Sequence, residues 1–412
     1  QMLSTISGAI ITVASLVLSM TLVALTLLSQ QLGPRILQIF MEDARTKLTL
    51  GYFLATFIFS MLTLGATGTG KEGEFVPLLT TYTAGFLALL AFAVVVHFVQ
   101  HIATSIQADV IVTRLGDELN TAIESEIKRG EGHTKWLDDE DALEPSSDFD
   151  SGLHYFTLDR SGYIESLDES SLLSTAVKHE TQITMLCRPG HYVLAGVPVA
   201  AVERGSIDLS KLEGIEREIK HSVTVGARRS RRLHIDFEIH ALVEVALRAL
   251  SPGVNDPFTA LTCIDRLTDA IARLLDHGGA SRLLLDDDGD CRVALYPTPV
   301  QHYLDAAFFP VRQAATGNVT VILKILSALR QLCLRARSLR QLDEILAHGE
   351  MVEKAGRAAA LIDHDLNKIA DRAQSLKKLA SYCKEHVLTV QPADTRADAA
   401  DDPLPRVQNT RA

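Results

Sequence analysis

The chain has 412 residues, 47% of them hydrophobic, and a formal net charge of −11; this length suits two or three domains. Residues 1–101 contain four Lys or Arg and four Asp or Glu, which leaves 36 basic and 47 acidic side chains for the remainder. An acidic remainder argues against a nucleic-acid surface, and five scattered cysteines without a C-x-x-C pair favour reduced thiols over a zinc site.

Three apolar runs within the first hundred residues have the length of membrane-spanning helices. They cover residues 8–28, 48–67 and 75–96, and none of them contains Asp, Glu, Lys or Arg. A helix of about 20 residues is roughly 30 Å long, which matches the hydrocarbon core of a bilayer. We therefore predict a multi-pass transmembrane domain over residues 1–101, in contact with the lipid bilayer. Proton relays and ion-coupling sites usually contain such a charged side chain within the membrane, so these spans give no indication of either.

The basic residues predict how these spans are oriented. The loop after the first span carries Arg35, Arg45 and Lys47, whereas the loop after the second carries only Lys71, beside two glutamates. Lys and Arg are enriched in cytoplasmic loops. We therefore expect the first loop, and everything after the third span, to be cytoplasmic.

Small polar residues recur every three or four positions along the first span. Thr12, Ser15, Ser19 and Thr26 belong to this stripe, which therefore follows one face of the helix. Such a face lets helices approach closely and hydrogen-bond with one another; alternatively, it lines a pore. The sequence leaves both interpretations open, and either one predicts a homo-oligomer.

Two histidines mark the end of the third span. His97 and His101 are four residues apart and lie on one helical face, but no third donor follows at helical spacing before Asp109. We predict that they hydrogen-bond at the membrane edge and hold no metal, with pH sensing as the alternative. The helical pattern continues over residues 102–129, which predicts a stalk, and the composition of residues 130–150 predicts a linker.

Residues 151–226 contain short β-like runs separated by glycine and proline, with a helix near 169–179. The phrase R-P-G-H-Y-V-L-A-G-V-P-V-A-A-V resembles the second half of a biotinyl/lipoyl-like barrel-sandwich, so we expect a small barrel-sandwich-like subdomain here. A carrier domain of that class needs a lysine at an exposed hairpin tip, and residues 167–171 occupy that position without one. No bound cofactor is therefore expected.

Residues 227–387 predict a helical subdomain with a β-hairpin near 282–296, and residues 388–412 predict a disordered tail. The subdomain begins with a basic cluster formed by Arg228, Arg229, Arg231 and Arg232. This cluster binds an anionic ligand or forms salt bridges in solvent or with a neighbouring subunit. The sequence does not choose between these alternatives, and it does not identify a small-molecule ligand.

The run Ser-Pro-Gly-Val-Asn-Asp-Pro separates two helices of this subdomain. Ser251 and the Pro-Gly after it end a helix over 234–250, and Asp256 can cap the next helix, which has Pro257 at its first position. The structural interpretation is a tight corner between helices. In the functional alternative, Asn255, Asp256 and Thr259 present polar groups to a ligand or a neighbouring subunit.

Three stretches of the chain closely resemble the bacterial DUF2254 family. They are L-S-T-I-S-G-A-I-I-T-V-A-S-L-V-L-S-M-T-L-V-A-L, H-F-V-Q-H-I-A-T-S-I-Q-A and A-L-R-A-L-S-P-G-V-N-D-P-F-T-A. The family consists of predicted membrane proteins with no assigned biochemical role, so the resemblance implies no catalytic residue. It implies a bacterial inner-membrane location and further membrane sequence upstream of Gln1 that completes a four-span bundle.

The motifs G-x-S-x-G, G-x-x-x-x-G-K-[ST] and H-E-x-x-H are absent, so we expect no enzymatic activity. We predict a mostly α membrane protein in which a transmembrane helical bundle is joined to an α+β cytosolic domain. Two functions fit this architecture. One is an oligomeric channel- or transporter-like protein whose cytosolic domain senses or gates; the other is a membrane-anchored scaffold or regulator without transport.

Overall fold

The computed structural model describes eleven segments of the chain: residues 2–32, 44–66, 78–105, 107–129, 134–137, 152–203, 209–227, 234–276, 281–296, 298–358 and 362–387. The basic cluster at 228–232, the tail at 388–412 and most of the predicted linker at 130–150 lie outside the described residues. The predictions made for those parts stay predictions.

Three helices are long and apolar enough to cross a membrane: α1 (Met2–Leu32), α2 (Ala44–Ala66) and α3 (Leu78–Ser105). Helix α1 contains the predicted span 8–28, and α2 and α3 cover the described parts of the spans predicted at 48–67 and 75–96. Each helix packs against the other two. The Met2 side chain lies against Gly85, so α1 and α3 begin at the same end of this bundle. They run parallel, and α2 returns between them.

The interior of the bundle combines apolar side chains such as Val17 and Phe98 with small and hydroxyl-bearing ones. One face of α2 is buried, with the residues Thr46, Thr49, Phe53, Thr56, Ser60 and Thr63. The outer surface of the bundle exposes large apolar residues such as Leu62, Leu79 and Phe92. This distribution suits a lipid environment, in which small residues let helices pack closely.

Nine further helices are described after the bundle. They are α4 (Ala108–Arg129), α5 (Glu169–Lys178), α6 (Leu209–Ser222), α7 (Ile235–Ala249), α8 (Pro257–Asp276), α9 (Val300–Ala314), α10 (Val319–Cys333), α11 (Leu339–Ala358) and α12 (Asp363–Val387). Helix α4 and helices α7–α12 pack together as a helical body, whose hydrophobic core is continuous with that of the bundle.

The segment expected to be a stalk is helical over residues 102–105 and 108–129, but α4 is a core element of the helical body. Val112, Leu115 and Leu119 of α4 are fully buried where it packs against α7 and α8. Gly116 allows the Arg266 side chain of α8 to lie directly against the helix backbone. An apolar stripe on a water-exposed helix needs a partner, and α8 provides one here.

The strands form two sheets. They are β1 (Thr134–Leu137), β2 (Leu153–Thr157), β3 (Gly162–Leu167), β4 (Ile183–Met185), β5 (Tyr192–Val193), β6 (Pro198–Glu203), β7 (Val223–Gly226), β8 (Ser281–Leu285) and β9 (Cys291–Ala294). The larger sheet has the order β1-β8-β9-β4-β6-β2 and the smaller one β5-β3-β7. All neighbours pair antiparallel except β4 and β9.

The barrel-sandwich detail predicted for residues 151–226 is not confirmed. Strands of that segment are divided between the two sheets, and the larger sheet takes β1, β8 and β9 from other parts of the chain. The hairpin predicted near 282–296 does form, as β8 and β9, and β9 pairs in parallel with β4. The local pattern predicted strands correctly, but it carries no information on a partner about a hundred residues away.

A second hydrophobic core lies beneath the sheets, where α5 and α6 contribute Leu172, Ala176, Ile215 and Ile219. Helix α5 matches the helix predicted near 169–179 and is capped by Asp168, whose carboxylate accepts from Ser171 N at 3.0 Å. The part of the protein outside the bundle therefore has two separate hydrophobic cores, which we call the helical body and the sheet body.

Candidate functional sites

The corner between α7 and α8 is closed by backbone hydrogen bonds. Asp256 N donates to Ala249 O at 2.7 Å, and Asn255 N donates to Ser251 O at 2.9 Å. Asn255 has a φ of 48°, in the left-handed region that asparagine tolerates better than most residues. The predicted tight corner is therefore confirmed, with Asn255 as the residue that turns the chain.

Two of the three polar residues singled out at this corner bind each other. The Asp256 carboxylate accepts from Thr259 N at 3.2 Å and from Thr259 Oγ1 at 2.5 Å, which is the predicted cap of α8. Thr259 is buried, whereas Asn255 is exposed. Ligand or subunit binding by these residues stays a prediction, and Asn255 is the member whose side chain is best placed to make it.

Two apolar side chains at the same corner are exposed, and the sequence analysis did not single them out. Phe258 has 75% of its surface exposed and Val254 has 46%. They lie two residues before and two residues after Asp256, which caps α8, and the corner holds both at its outer surface. In water-soluble proteins an aromatic side chain of this size is usually largely buried. The exposure of Phe258 therefore identifies this corner as a candidate contact surface.

The corner lies between the points where two membrane helices meet the helical body. Arg248, at the end of α7, donates from Nη1 to Gln30 O in the last turn of α1 at 3.1 Å. Burial, together with the nearby carboxylates of Asp256 and Asp109, raises the pKa of the Cys263 thiol to about 12. Arg266 of α8 donates to Thr113 Oγ1 of α4 at 3.1 Å, and Asn120 of α4 donates to Asp269 of α8 at 3.0 Å, so these two helices run parallel. The start of α4, which follows α3 after two residues, is therefore also close to the corner.

The stripe of α1 faces away from the rest of the bundle. Thr12, Ser15, Ser19 and Thr26 are all exposed, whereas Ile10, Val17 and Thr21 are buried on the other side of the helix. The hydroxyl of Thr12 donates to Gly8 O and that of Thr26 to Leu22 O, both at 2.8 Å. Packing within one chain therefore leaves this face free, and its role in an oligomer or pore stays a prediction.

The histidines at the end of the third span lie on α3, near its junction with α4. His97 is exposed, and Nδ1 of the half-buried His101 is 3.4 Å from Ser105 Oγ. Within the described ranges, no group of three or more His, Cys, Asp or Glu side chains is placed to hold a metal ion. Hydrogen bonding at the membrane edge and pH sensing both stay predictions for this pair.

A buried ionic cluster joins the sheet body to the helical body, and sequence reasoning missed it. Arg188 Nη1 donates to Asp236 Oδ2 at 2.7 Å, and His302 Nε2 lies 2.8 Å from both Asp236 Oδ1 and Arg188 Nη2. Burial alone raises the pKa of Asp236, but the bond with His302 and the charge of Arg188 outweigh it and hold that pKa well below its usual range. The three residues come from a loop, α7 and α9, so no local motif announces them.

A second buried arginine makes a similar connection. Arg282 on β8 donates to Glu169 at 2.8 and 3.1 Å and to Glu126 of α4 at 2.7 Å. Its side chain is almost fully buried. Arg188 and Arg282 therefore tie the sheet body to three helices of the helical body, α7, α9 and α4, which positions the two bodies relative to each other.

A cleft of about 800 Å³ lies between α4, α8 and α10. Glu124 and Lys128, near the end of α4, line it together with Leu334 at the end of α10. Its charged residues pair with one another: Arg273 lies 3.6 Å from Glu124, and Arg335 bonds to Asp276. These pairs use several of the charged side chains that line the cleft. The cleft lies at the end of α4 that is farthest from the bundle.

These features define a class of protein: a helical membrane protein with three candidate spans near its N-terminal end and a folded α+β portion attached to them. A family model described as "Predicted membrane protein (DUF2254)" matches residues 1–331. The chain therefore belongs to the DUF2254 family, as the sequence resemblance indicated.

Similar proteins occur in mycobacteria. An uncharacterized protein of Mycobacterium bovis and one of Mycobacterium tuberculosis are each 27% identical to the chain over 338 residues, which is 80% of this chain and 63% of each relative. The chain thus spans less than two thirds of the length of these relatives. No solved structure matches it.

Proposed function

We propose that the chain assembles into homo-oligomers in the bacterial inner membrane and acts there as a channel- or transporter-like protein. The two bodies form its cytosolic sensing or gating domain, and no enzymatic step belongs to this proposal. The observation that carries it is the outward-facing stripe of α1, since Thr12, Ser15, Ser19 and Thr26 are exposed on the side opposite the helix's contacts within the chain.

Assembly follows from the small size of the side chains in this stripe. Between helices in lipid there is little hydrophobic driving force, so association depends on close packing and hydrogen bonds. Gly8 has open space around it, and Ser15 and Ser19 continue the same narrow face. A second α1 can therefore approach along this face more closely than along faces that carry leucine.

A polar path requires several copies of the chain. Four threonines and one serine of α2 are buried on the face that packs within one chain, so they are not available to line a path between chains. If several copies place α1 around a common axis, the stripe lines that axis with hydroxyl oxygens. The hydroxyls of Thr12 and Thr26 keep lone pairs for a passing solute, even though their protons are donated within the helix.

The orientation is supported by the basic residues at the start of α2. Arg45 and Lys47 are exposed at the end of the bundle that meets the helical body, and this is the charge pattern of a cytoplasmic side. Contacts at the same end suggest how the body acts on the spans. Arg248 bonds to the last turn of α1, and α4 follows α3 after only two residues.

A membrane-anchored scaffold or regulator is the second candidate. The observation that favours it is that the Thr12 and Thr26 hydroxyls already donate to carbonyls of their own helix. In addition, the predicted spans contain no Asp, Glu, Lys or Arg. Under this alternative the same face assembles the chains, but it encloses no path.

The test combines Ser15→Leu and Ser19→Leu with the control Ala9→Leu, which adds a similar side chain on an exposed part of α1 outside the stripe. Oligomeric state in detergent and conductance or solute flux in proteoliposomes are measured for each. We expect the wild type and Ala9→Leu to be oligomeric and to conduct, and the two serine variants to lose flux. Oligomers that conduct nothing at any voltage or pH support the scaffold, whereas a monomeric wild type contradicts both proposals.

A further inference from the structure

We infer that the corner between α7 and α8 is a membrane-binding element, which inserts Val254 and Phe258 into the interfacial layer of the bilayer. The partner is the lipid surface next to the chain's own spans. This inference needs α1 and α3 to cross the membrane, but it requires neither an oligomer nor transport. It can therefore hold where the channel proposal fails.

The first support is the position of the corner. Arg248, at the end of the helix before the corner, bonds to Gln30 in the last turn of α1. On the other side, Arg266 of α8 donates to Thr113 Oγ1 of α4 at 3.1 Å, and Asn120 of α4 donates to Asp269 of α8 at 3.0 Å. Helices α4 and α8 therefore run parallel, and the corner at the start of α8 lies beside the start of α4, which follows α3 after two residues. The corner is thus held between the exit points of two parallel membrane helices, which is the level of the lipid headgroups.

The second support is the chemistry of the exposed surface. Residues 252–258 read Pro-Gly-Val-Asn-Asp-Pro-Phe, and Asp256 is the one ionisable residue among them. Its carboxylate is occupied in capping α8 through two bonds to Thr259. Insertion therefore does not have to bury an unsatisfied charge, which is the main cost of placing a protein surface in lipid.

The third support is that the corner presents its apolar side chains in a fixed conformation. Asn255 is held in the left-handed region, and its amide bonds to Ser251 O at 2.9 Å. Phe258 lies in the first turn of α8 and exposes 75% of its surface. Aromatic and aliphatic side chains at this depth gain by leaving water, and aromatic side chains are typical of membrane interfaces.

Nearby basic residues suit the same partner. Arg45 and Lys47 are exposed at the beginning of α2, at the end of the bundle where α1 meets Arg248. Cations in this position attract anionic headgroups. Exposed apolar side chains at the corner, together with cations at the same end of the bundle, suit contact with a bilayer better than contact with water.

The test uses the full chain with its single tryptophan replaced, Trp136→Phe, as background. Phe258→Trp and Val254→Trp each report on the corner. Leu334→Trp is the matched control, because Leu334 is also exposed (62%) and lies in the cleft beside the end of α4. That end is about 33 Å along α4 from the membrane helices, at 1.5 Å per residue over its 22 residues.

Each variant is reconstituted into vesicles of phosphatidylcholine and phosphatidylglycerol, with or without bromine on the acyl chains. We expect brominated lipid to quench Phe258→Trp and Val254→Trp by at least about twofold, because interfacial side chains reach the boundary of the acyl chains. Leu334→Trp should not respond. Circular dichroism and elution in detergent check that each variant has folded.

Equal quenching of Phe258→Trp and Leu334→Trp, or none of either corner variant, overturns the inference. If emission from Phe258→Trp ignores bromine but changes with the protein-to-lipid ratio, a second copy of the chain covers the corner instead of lipid. That result also overturns the inference. Flux and oligomeric state are not part of this readout, so failure of the proposed function leaves it intact.

Discussion

Helix α2 of the membrane bundle and helix α8 of the helical body bury different kinds of side chain. In α2 the buried face carries Thr56, Ser60 and Thr63, while Leu62 is 70% exposed. In α8 the buried face carries Cys263, Ile264 and Leu267, while charged residues face outward. Leucine therefore lies on the exposed face of α2 but on the buried face of α8. Polar side chains lie on the buried face of α2 but on the exposed face of α8.

The difference between these two helices shows that the surrounding solvent affects which side chains a helix buries. In water, apolar surface is buried because its hydration is unfavourable. In lipid that driving force is absent between helices, so small residues and hydroxyls face inward for close contact and hydrogen bonding. The two regions meet at Gln30 and Arg248, and each prediction below tests one side of this contrast.

The largest effect is expected at the buried charges, which the body contains and the predicted spans lack. Asp236→Ala leaves Arg188 buried without its carboxylate, and loss of one partner of a buried pair typically costs about 3–5 kcal/mol. We expect a loss of this order in the free energy of unfolding at neutral pH, measured by denaturant titration of the full chain in detergent. The matched control is Asp287→Ala, at the exposed tip of the β8–β9 hairpin, which should change little.

The same carboxylate predicts a dependence on pH. The pKa of Asp236 is lowered in the folded protein, so its stabilising contribution is present above the unfolded value of about 3.9 and is lost as the pH falls towards the folded value. Asp236→Asn should therefore be less stable than the wild type at neutral pH, and the difference should shrink as the pH is lowered below about 4. A difference that stays constant with pH contradicts this account of the cluster.

A smaller loss of stability is expected when leucine is replaced by alanine, and its size should differ between the helical body and the bundle. Leu115→Ala removes a fully buried side chain from α4 and should cost about 2–5 kcal/mol of unfolding free energy. Leu62→Ala removes a side chain that faces lipid and should change the unfolding of the bundle by about 0.5 kcal/mol or less. Thermal and denaturant unfolding in nanodiscs measures both. Equal losses would show that the outer face of α2 is packed against protein.

The smallest effects are expected inside the bundle. Tyr52 OH donates to Leu87 O across to α3 at 2.7 Å, so Tyr52→Phe should cost about 0.6 to 2 kcal/mol. Ser60 Oγ is buried and has no hydrogen-bond partner among the residues that the structure describes, so Ser60→Ala should cost close to nothing. Unfolding in mixed detergent micelles compares the two. A larger loss for Ser60→Ala would mean that this hydroxyl has a partner in the membrane.

Sequence reasoning located the elements well where the signal is local. It identified the three spans, the helix at α5, and the corner with Asp256 as the cap of α8, because apolar length and capping chemistry depend only on neighbouring residues. It also found the polar stripe of α1. It passed over the equivalent stripe of α2, whose Thr and Ser residues are the ones that face the other helices of the same chain.

The sequence by itself determined which segments are long and apolar enough to cross a membrane, where the helices on either side of the corner begin and end, and which family the chain belongs to. Only the tertiary structure decided that α4 is part of a core, that β4 pairs with β9, and that Arg188 meets Asp236 and His302. The physical reason is range. Apolar length, period and capping act over a few residues, whereas strand partners and buried ion pairs depend on segments far apart in the chain, such as Glu126 and Arg282, whose meeting no local pattern encodes.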